Sequence, residues 1–132
     1  MGKLRWDCSR DGCFNRERRP KIEVFDECFP GNIQMGDVDG IVEINGRVLM
    51  LEWKTRGLLL PLGQKIMYER LSSSGAITVF VVHGDVKTMK VEEYVCFYQG
   101  KKFTKPGASL ADVKRNMQRW ARWARGETQR SN

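Results

Sequence analysis

Asp37, Asp39, Glu52 and Lys54 are side chains that hold cations or move protons, and the chain brings them within reach of one another. Asn45-Gly46 stands between two apolar-rich runs, Asp37 to Ile44 and Arg47 to Lys54. Asn-Gly in that setting predicts a two-residue type I′ β-hairpin, because both turn positions need a positive φ. With Ile44 opposite Arg47, every further pair of partner numbers sums to 91, so Asp39 faces Glu52 and Asp37 faces Lys54. Side chains alternate along strands, so these four share one side of the hairpin. The other side carries Val38, Val42, Ile44, Leu49, Leu51 and Trp53 and reads as a core face. Counted out from the turn, Asp39 and Glu52 form a non-hydrogen-bonded pair, with Cβ atoms roughly 4.5–5.5 Å apart.

Opposed carboxylates repel, and something must offset the repulsion. One answer is a raised pKa that keeps one carboxyl protonated. A better one is a hard divalent cation between the two groups, since Mg2+ favours one or two carboxylates together with waters and phosphate oxygens. Lys54 sits about 7 Å beyond Glu52 along the same face. Its ammonium could hold or deprotonate an attacking water, or stabilise a phosphorane-like transition state. The plain alternative is a surface whose charges oppose one another by chance. That alternative must explain why the polar residues gather at one end of a hairpin rich in Val, Leu, Ile and Met.

Gly36-Asp37-Val38-Asp39-Gly40, followed thirteen positions after Asp39 by Glu52-Trp53-Lys54, resembles the PD-(D/E)XK nuclease superfamily, with an Asp on one strand and Glu-x-Lys on its hairpin partner. No Pro precedes Asp39, a departure common in that group. The spacing is similar to that of Holliday-junction resolvases and small phage-type nucleases. Gln64-Lys65-Ile66-Met67-Tyr68 is similar to the Gln-x-x-x-Tyr motif of RecB-type members. Gln64 and Tyr68 are four apart and share a helical face, where they could orient Lys54, a water or a phosphate. The bland reading is a Tyr at the edge of the core and a solvated Gln. The resemblance covers residues 36–68, a quarter of the 132-residue chain. It implies a restriction-endonuclease-like core, metal held by Asp39, Glu52 and the backbone carbonyl of Trp53, and Mg2+ or Mn2+ as cofactor. It also implies a further metal-contacting Glu on an N-terminal helix, for which Glu17, Glu23 and Glu27 are the candidates, and a viral or mobile-element origin.

The elements that must position these groups follow from pattern and punctuation. Residues 22–29 read as a short strand or a helical turn. Pro61 to Ser73 reads as a helix, closed by Ser72-Ser73-Ser74-Gly75. Ala76 to Val82 is a continuous β-branched run suited to a strand buried on both faces. Val91 to Tyr98 is another strand, and a final helix capped by Ser109 or Asp112 runs to about Arg125. The order strand, strand, helix, strand, strand, helix predicts an α/β (α+β) fold with a central mixed sheet flanked by helices. At 132 residues the chain reads as one domain, with a polar segment (1–35), a core (36–98) and a basic amphipathic helix (109–126).

Residues 1–100 carry 14 basic and 14 acidic groups, whereas residues 101–132 carry 9 basic and 2 acidic groups and so the whole net charge of +7. On the last helix, Leu110, Val113, Met117, Trp120, Ala121 and Ala124 form an apolar stripe. Lys114, Arg115, Arg119, Arg122 and Arg125 fall on the opposite half, a cationic face that could neutralise several DNA phosphates. Arg16, Arg18, Arg19 and Lys21 could add a second contact. Trp123 lies off the stripe, where it either packs on the sheet or stacks on a base.

Cys8, Cys13, Cys28 and Cys96 read as free thiols; a zinc site built on Cys8 and Cys13 lacks a convincing second pair. His83, the only histidine, has no nucleophile to activate and is set aside as structural. No apolar run reaches the roughly 20 residues of a membrane span, and no signal-like apolar segment opens the chain, so a cytoplasmic protein is expected. These features together predict a metal-dependent DNA nuclease, first of all a structure-selective, resolvase-like endonuclease acting as a homodimer. An end-processing or nonspecific exonuclease competes with it. A non-catalytic DNA-binding module and a zinc-stabilised interaction domain are the rivals from other classes.

Overall fold

The computed structural model describes residues 20–55 and 60–127. These fall into two compact units divided between Asp37 and Val38. In the N-terminal unit, Ile22–Cys28 form a short 3-10 helix, which settles the ambiguity of that stretch. Val24 and Phe25 are exposed on it, and the Asp26 carboxylate accepts the Met35 amide at 2.7 Å. Glu23 and Glu27 belong to this helix, while Glu17, Arg16, Arg18, Arg19, Cys8 and Cys13 lie outside the described residues.

The second unit is α+β, with strands β1 (Gly40–Ile44), β2 (Arg47–Thr55), β3 (Ile77–Gly84), β4 (Val91–Tyr98) and β5 (Lys101–Pro106). Helix α1 (Leu62–Ser72) joins β2 to β3, and helix α2 (Leu110–Ala124) follows β5. The sheet order is β1-β2-β3-β4-β5, with β2 and β3 parallel and every other neighbouring pair antiparallel. It is the mixed sheet flanked by helices that the pattern of elements implies. The β1-β2 register is the expected one, from Ile44↔Arg47 to Gly40↔Leu51, and Asn45 and Gly46 take φ of 53° and 82°. The Glu43 carboxylate accepts the Gly46 amide at 2.6 Å and reinforces the turn.

Both faces of the sheet are covered. On one, Leu49, Phe80, Val82, Tyr94, Val113 and Trp120 form a core under α2, with Ile44, Leu51 and Trp53 packed against it. On the other, Tyr68 of α1 is buried among Val79, Val81, Val95 and Phe97. The expected core face of the hairpin is therefore corrected at two residues. Val42, on the edge strand β1, and Val38, which precedes that strand, are 49% and 40% exposed. The hairpin turn is tied instead to the end of α2: Asn45 donates to the Ala124 carbonyl and Arg47 to that of Trp123. These are carbonyls a helix end leaves unpaired, and a cation suits that end of the dipole.

Ser109 caps α2 in a reciprocal capping box with Asp112, so both sequence candidates take part. The Ser109 backbone amide and then the Arg115 guanidinium hold the Asp112 carboxyl below its ordinary range. Strand β5 has no counterpart in the expected order. All six of its residues are exposed, and the turn that leads into it, Gln99-Gly100, takes φ of 52° and 78°.

At the end of β3 the register shifts between His83 and Gly84. A methyl group on Gly84 would overlap the Lys90 carbonyl oxygen and press to 3.1 Å from the Trp53 ring. Gly84→Ala is expected to cost about 2 kcal/mol, by overpacking against backbone that cannot step aside. Urea unfolding checks it.

Candidate functional site

The β1-β2 ladder ends at Gly40↔Leu51, one step short of Asp39 and Glu52 and further short of Asp37 and Lys54. Asp39 explains the ending. Its Oδ2 accepts the Trp53 amide at 2.6 Å, the donor that a continuing strand would have paired through its backbone. The carboxylate is thereby fixed beside the middle residue of Glu52-Trp53-Lys54. A strand residue's N–H and C=O point toward the same neighbour, so the Trp53 carbonyl faces the side where the ladder has stopped. The Trp53 ring is anchored by its own N–H, which donates to the Gly84 carbonyl at 3.1 Å.

Glu52 and Lys54 lie on the α1 face of β2, each only 8% exposed. Burying two charges is costly unless they are paired. Lys54 Nζ stands 3.7 Å from Glu52 Oε1, at the loose limit of an ion pair.

Helix α1 supplies Gln64 and Tyr68. Tyr68 is 1% exposed and its ring lies 5.4 Å from that of Phe97, so it is a core residue. Gln64 is half-buried, and its Oε1 is buried with no hydrogen-bond partner among the described residues. A buried amide oxygen left in that state carries a penalty of about 1–3 kcal/mol. The solvated Gln of the bland reading is therefore not what the fold contains.

Sequence reasoning missed His83. It belongs to β3, is 9% exposed, and is the cross-strand partner of Lys54 on one side and of Glu93 on the other. Paired residues share a face, so Lys54, His83 and Glu93 form a polar row across three strands, beyond the rows Glu52–Val81–Val95 and Met50–Val79–Phe97 that lead up to it on the α1 side. The first of those rows is apolar except for Glu52 itself.

The cationic residues of α2 are placed as expected. Lys114, Arg115, Arg119, Arg122 and Arg125 are all exposed, while Val113, Trp120 and Ala124 are buried. Arg115 pairs with Asp112 and Arg125 with Glu127, at 2.8 and 3.2 Å. Trp123 packs: its ring meets Tyr98 edge-on at 5.9 Å, and the Arg47 guanidinium lies 4.1 Å from its centroid. Cys28 and Cys96 are free thiols, and burial pushes the Cys96 thiol up to about 11. Among the described residues, no three His, Cys, Asp or Glu side chains gather as metal ligands, and no helix is long and apolar enough to cross a membrane.

No protein-family model, curated protein or solved structure matches the chain.

Proposed function

We propose that the protein is a Mg2+- or Mn2+-dependent DNA nuclease of the PD-(D/E)XK kind, most simply a structure-selective, resolvase-like endonuclease. The observation that carries this reading is Asp39, fixed on the Trp53 amide beside the buried Glu52 and Lys54 at the open end of the hairpin. The donor set fits a hard cation. Two carboxylates and the Trp53 carbonyl offer oxygen ligands, and a site with few charged ligands leaves room for waters and phosphate. Asp39, Glu52 and the Trp53 carbonyl would hold the ion. When bound, it would polarise a phosphoryl oxygen and make water a stronger acid.

The chain's own groups do the rest. Lys54, held in a dry site by Glu52, positions the attacking water or neutralises charge building on the phosphate. Gln64 orients from α1, and the buried Tyr68 fixes that helix against the sheet. The exposed cations of α2 grip the DNA backbone. A junction resolvase needs two cuts, which a symmetric dimer of this chain would supply. Such a reaction belongs in the cytoplasm with its DNA.

Cleavage of a labelled four-way junction, a linear duplex and a single strand separates the members of this class. Paired cuts in the junction point to a resolvase, and progressive shortening from ends to an exonuclease. Lys114 and Arg122 make no ion pair among the described residues. Replacing either with Ala is expected to lower the slope of log K against log salt by about 0.9 for duplex DNA, the change for one phosphate that the protein no longer neutralises. Fluorescence anisotropy across a salt series measures that slope.

A further inference from the structure

A cavity of about 350 Å3 lies on the opposite face of the sheet from Glu52 and Lys54, between α2 and strands β3 to β5. Its volume is at the small end of the roughly 300–1,000 Å3 typical of small-ligand sites. The walls are aromatic: Tyr94, Tyr98, Phe103, Trp120 and Trp123. Lys105 and Arg119 also line it, both are exposed residues, and no carboxylate does.

Two further lining residues have unmet hydrogen-bonding groups. Trp120 and Thr78 are 8% and 3% exposed, and the Trp120 indole nitrogen and the Thr78 hydroxyl are buried with no partner among the described residues. Buried polar groups are ordinarily paired, and an orphan donor beside a cavity marks where an acceptor belongs. The indole N–H can only donate, so what satisfies it must accept. The neighbouring Asn116 amide is already engaged, donating to the Tyr94 hydroxyl and the Asp112 carbonyl.

An occupant matched to these walls is flat and π-rich, carries an acceptor edge and bears negative charge. We propose that this cavity is a nucleotide site, with a base between the aromatic rings and its phosphate at Lys105 and Arg119. The site does not rest on the nuclease reading, since it shares no residue with the carboxylate cluster. Arg119 alone is common to it and to the cationic face of α2. Two sources present the same chemistry: a free mononucleotide, and a single nucleotide extruded from a DNA strand lying along α2.

The test titrates the full chain with deoxyadenosine monophosphate in EDTA by isothermal calorimetry, with inorganic phosphate as the control. A twelve-residue single-stranded oligonucleotide forms the second arm. Trp120→Phe keeps an aromatic ring and deletes the donor, and Lys105→Glu, on an exposed edge strand, reverses the charge without touching the core. Saturable binding of the mononucleotide, weakened about tenfold by either variant, identifies a site for free nucleotides. A mononucleotide that fails to bind, beside an oligonucleotide whose affinity falls about tenfold in both variants, identifies an extruded nucleotide. The proposal is overturned if neither probe's binding responds to the variants, or if phosphate alone binds as tightly as the nucleotide.

Discussion

Glu52→Ala is expected to lower the rate of DNA cleavage by about a thousandfold or more, equivalent to roughly 4 kcal/mol of transition-state stabilisation. Glu52 is the buried carboxylate of the cluster and the counter-ion of Lys54. Alanine would therefore remove the proposed cation ligand and also strand a buried ammonium, so activity alone would not separate chemistry from folding. Glu52→Gln makes that separation, because the amide keeps the side chain's shape and an accepting oxygen while losing its charge. Asp39→Asn does the same on the other strand, since an amide oxygen still accepts the Trp53 N–H that ends the ladder. All three variants should lose cleavage in single-turnover assays, and the two amide variants should keep near-native unfolding midpoints and DNA affinity in EDTA. A non-catalytic DNA-binding module predicts no metal-dependent chemistry for any of them to lose.

Phe97→Ala is expected to cost about 3–5 kcal/mol of stability, the range for truncating a fully buried aromatic ring. Phe97 is 0% exposed and packs its ring against that of Tyr68, with Val79 directly opposite on β3. A loss of that size is a large part of the about 5–15 kcal/mol that holds a domain folded. The cavity also undercuts Tyr68, and with it the position of α1 over the sheet. Thermal unfolding of the variant gives the magnitude. Phe97→Leu refills most of the space and should cost less than about 1.5 kcal/mol, which shows whether packing volume is the cause.

The hairpin was legible because its two determinants are local. Asn45-Gly46 selects the turn, and alternation then fixes the register as far as Gly40↔Leu51. Helix α1, strand β4 and the capped start of α2 were legible for similar reasons of punctuation and period. The place where the ladder stops was not, because a side chain, Asp39, takes over a backbone role there. Strand β5 escaped because it buries nothing. Lys101, Lys102 and Lys105 with Pro106 suit an exposed sheet edge that must not recruit further strands, and they leave no hydrophobic alternation to read. His83 escaped for the opposite reason. Its strand is buried on both faces, so composition gives no hint of which side each residue takes, and the parallel pairing that sets it beside Lys54 depends on a helix-length crossover. The orphaned groups of Gln64, Thr78 and Trp120 are properties of packing, which no spacing rule reaches.

The central claim is that Asp39, Glu52 and Lys54 form a metal-dependent phosphodiesterase site. Single-turnover cleavage of a labelled four-way junction by the wild-type chain, in Mg2+, in Mn2+ and in EDTA, tests it most directly. The account predicts cutting in at least one metal and none in EDTA. Tight binding of the junction with no cutting in either metal would contradict it and leave a DNA-binding module in its place.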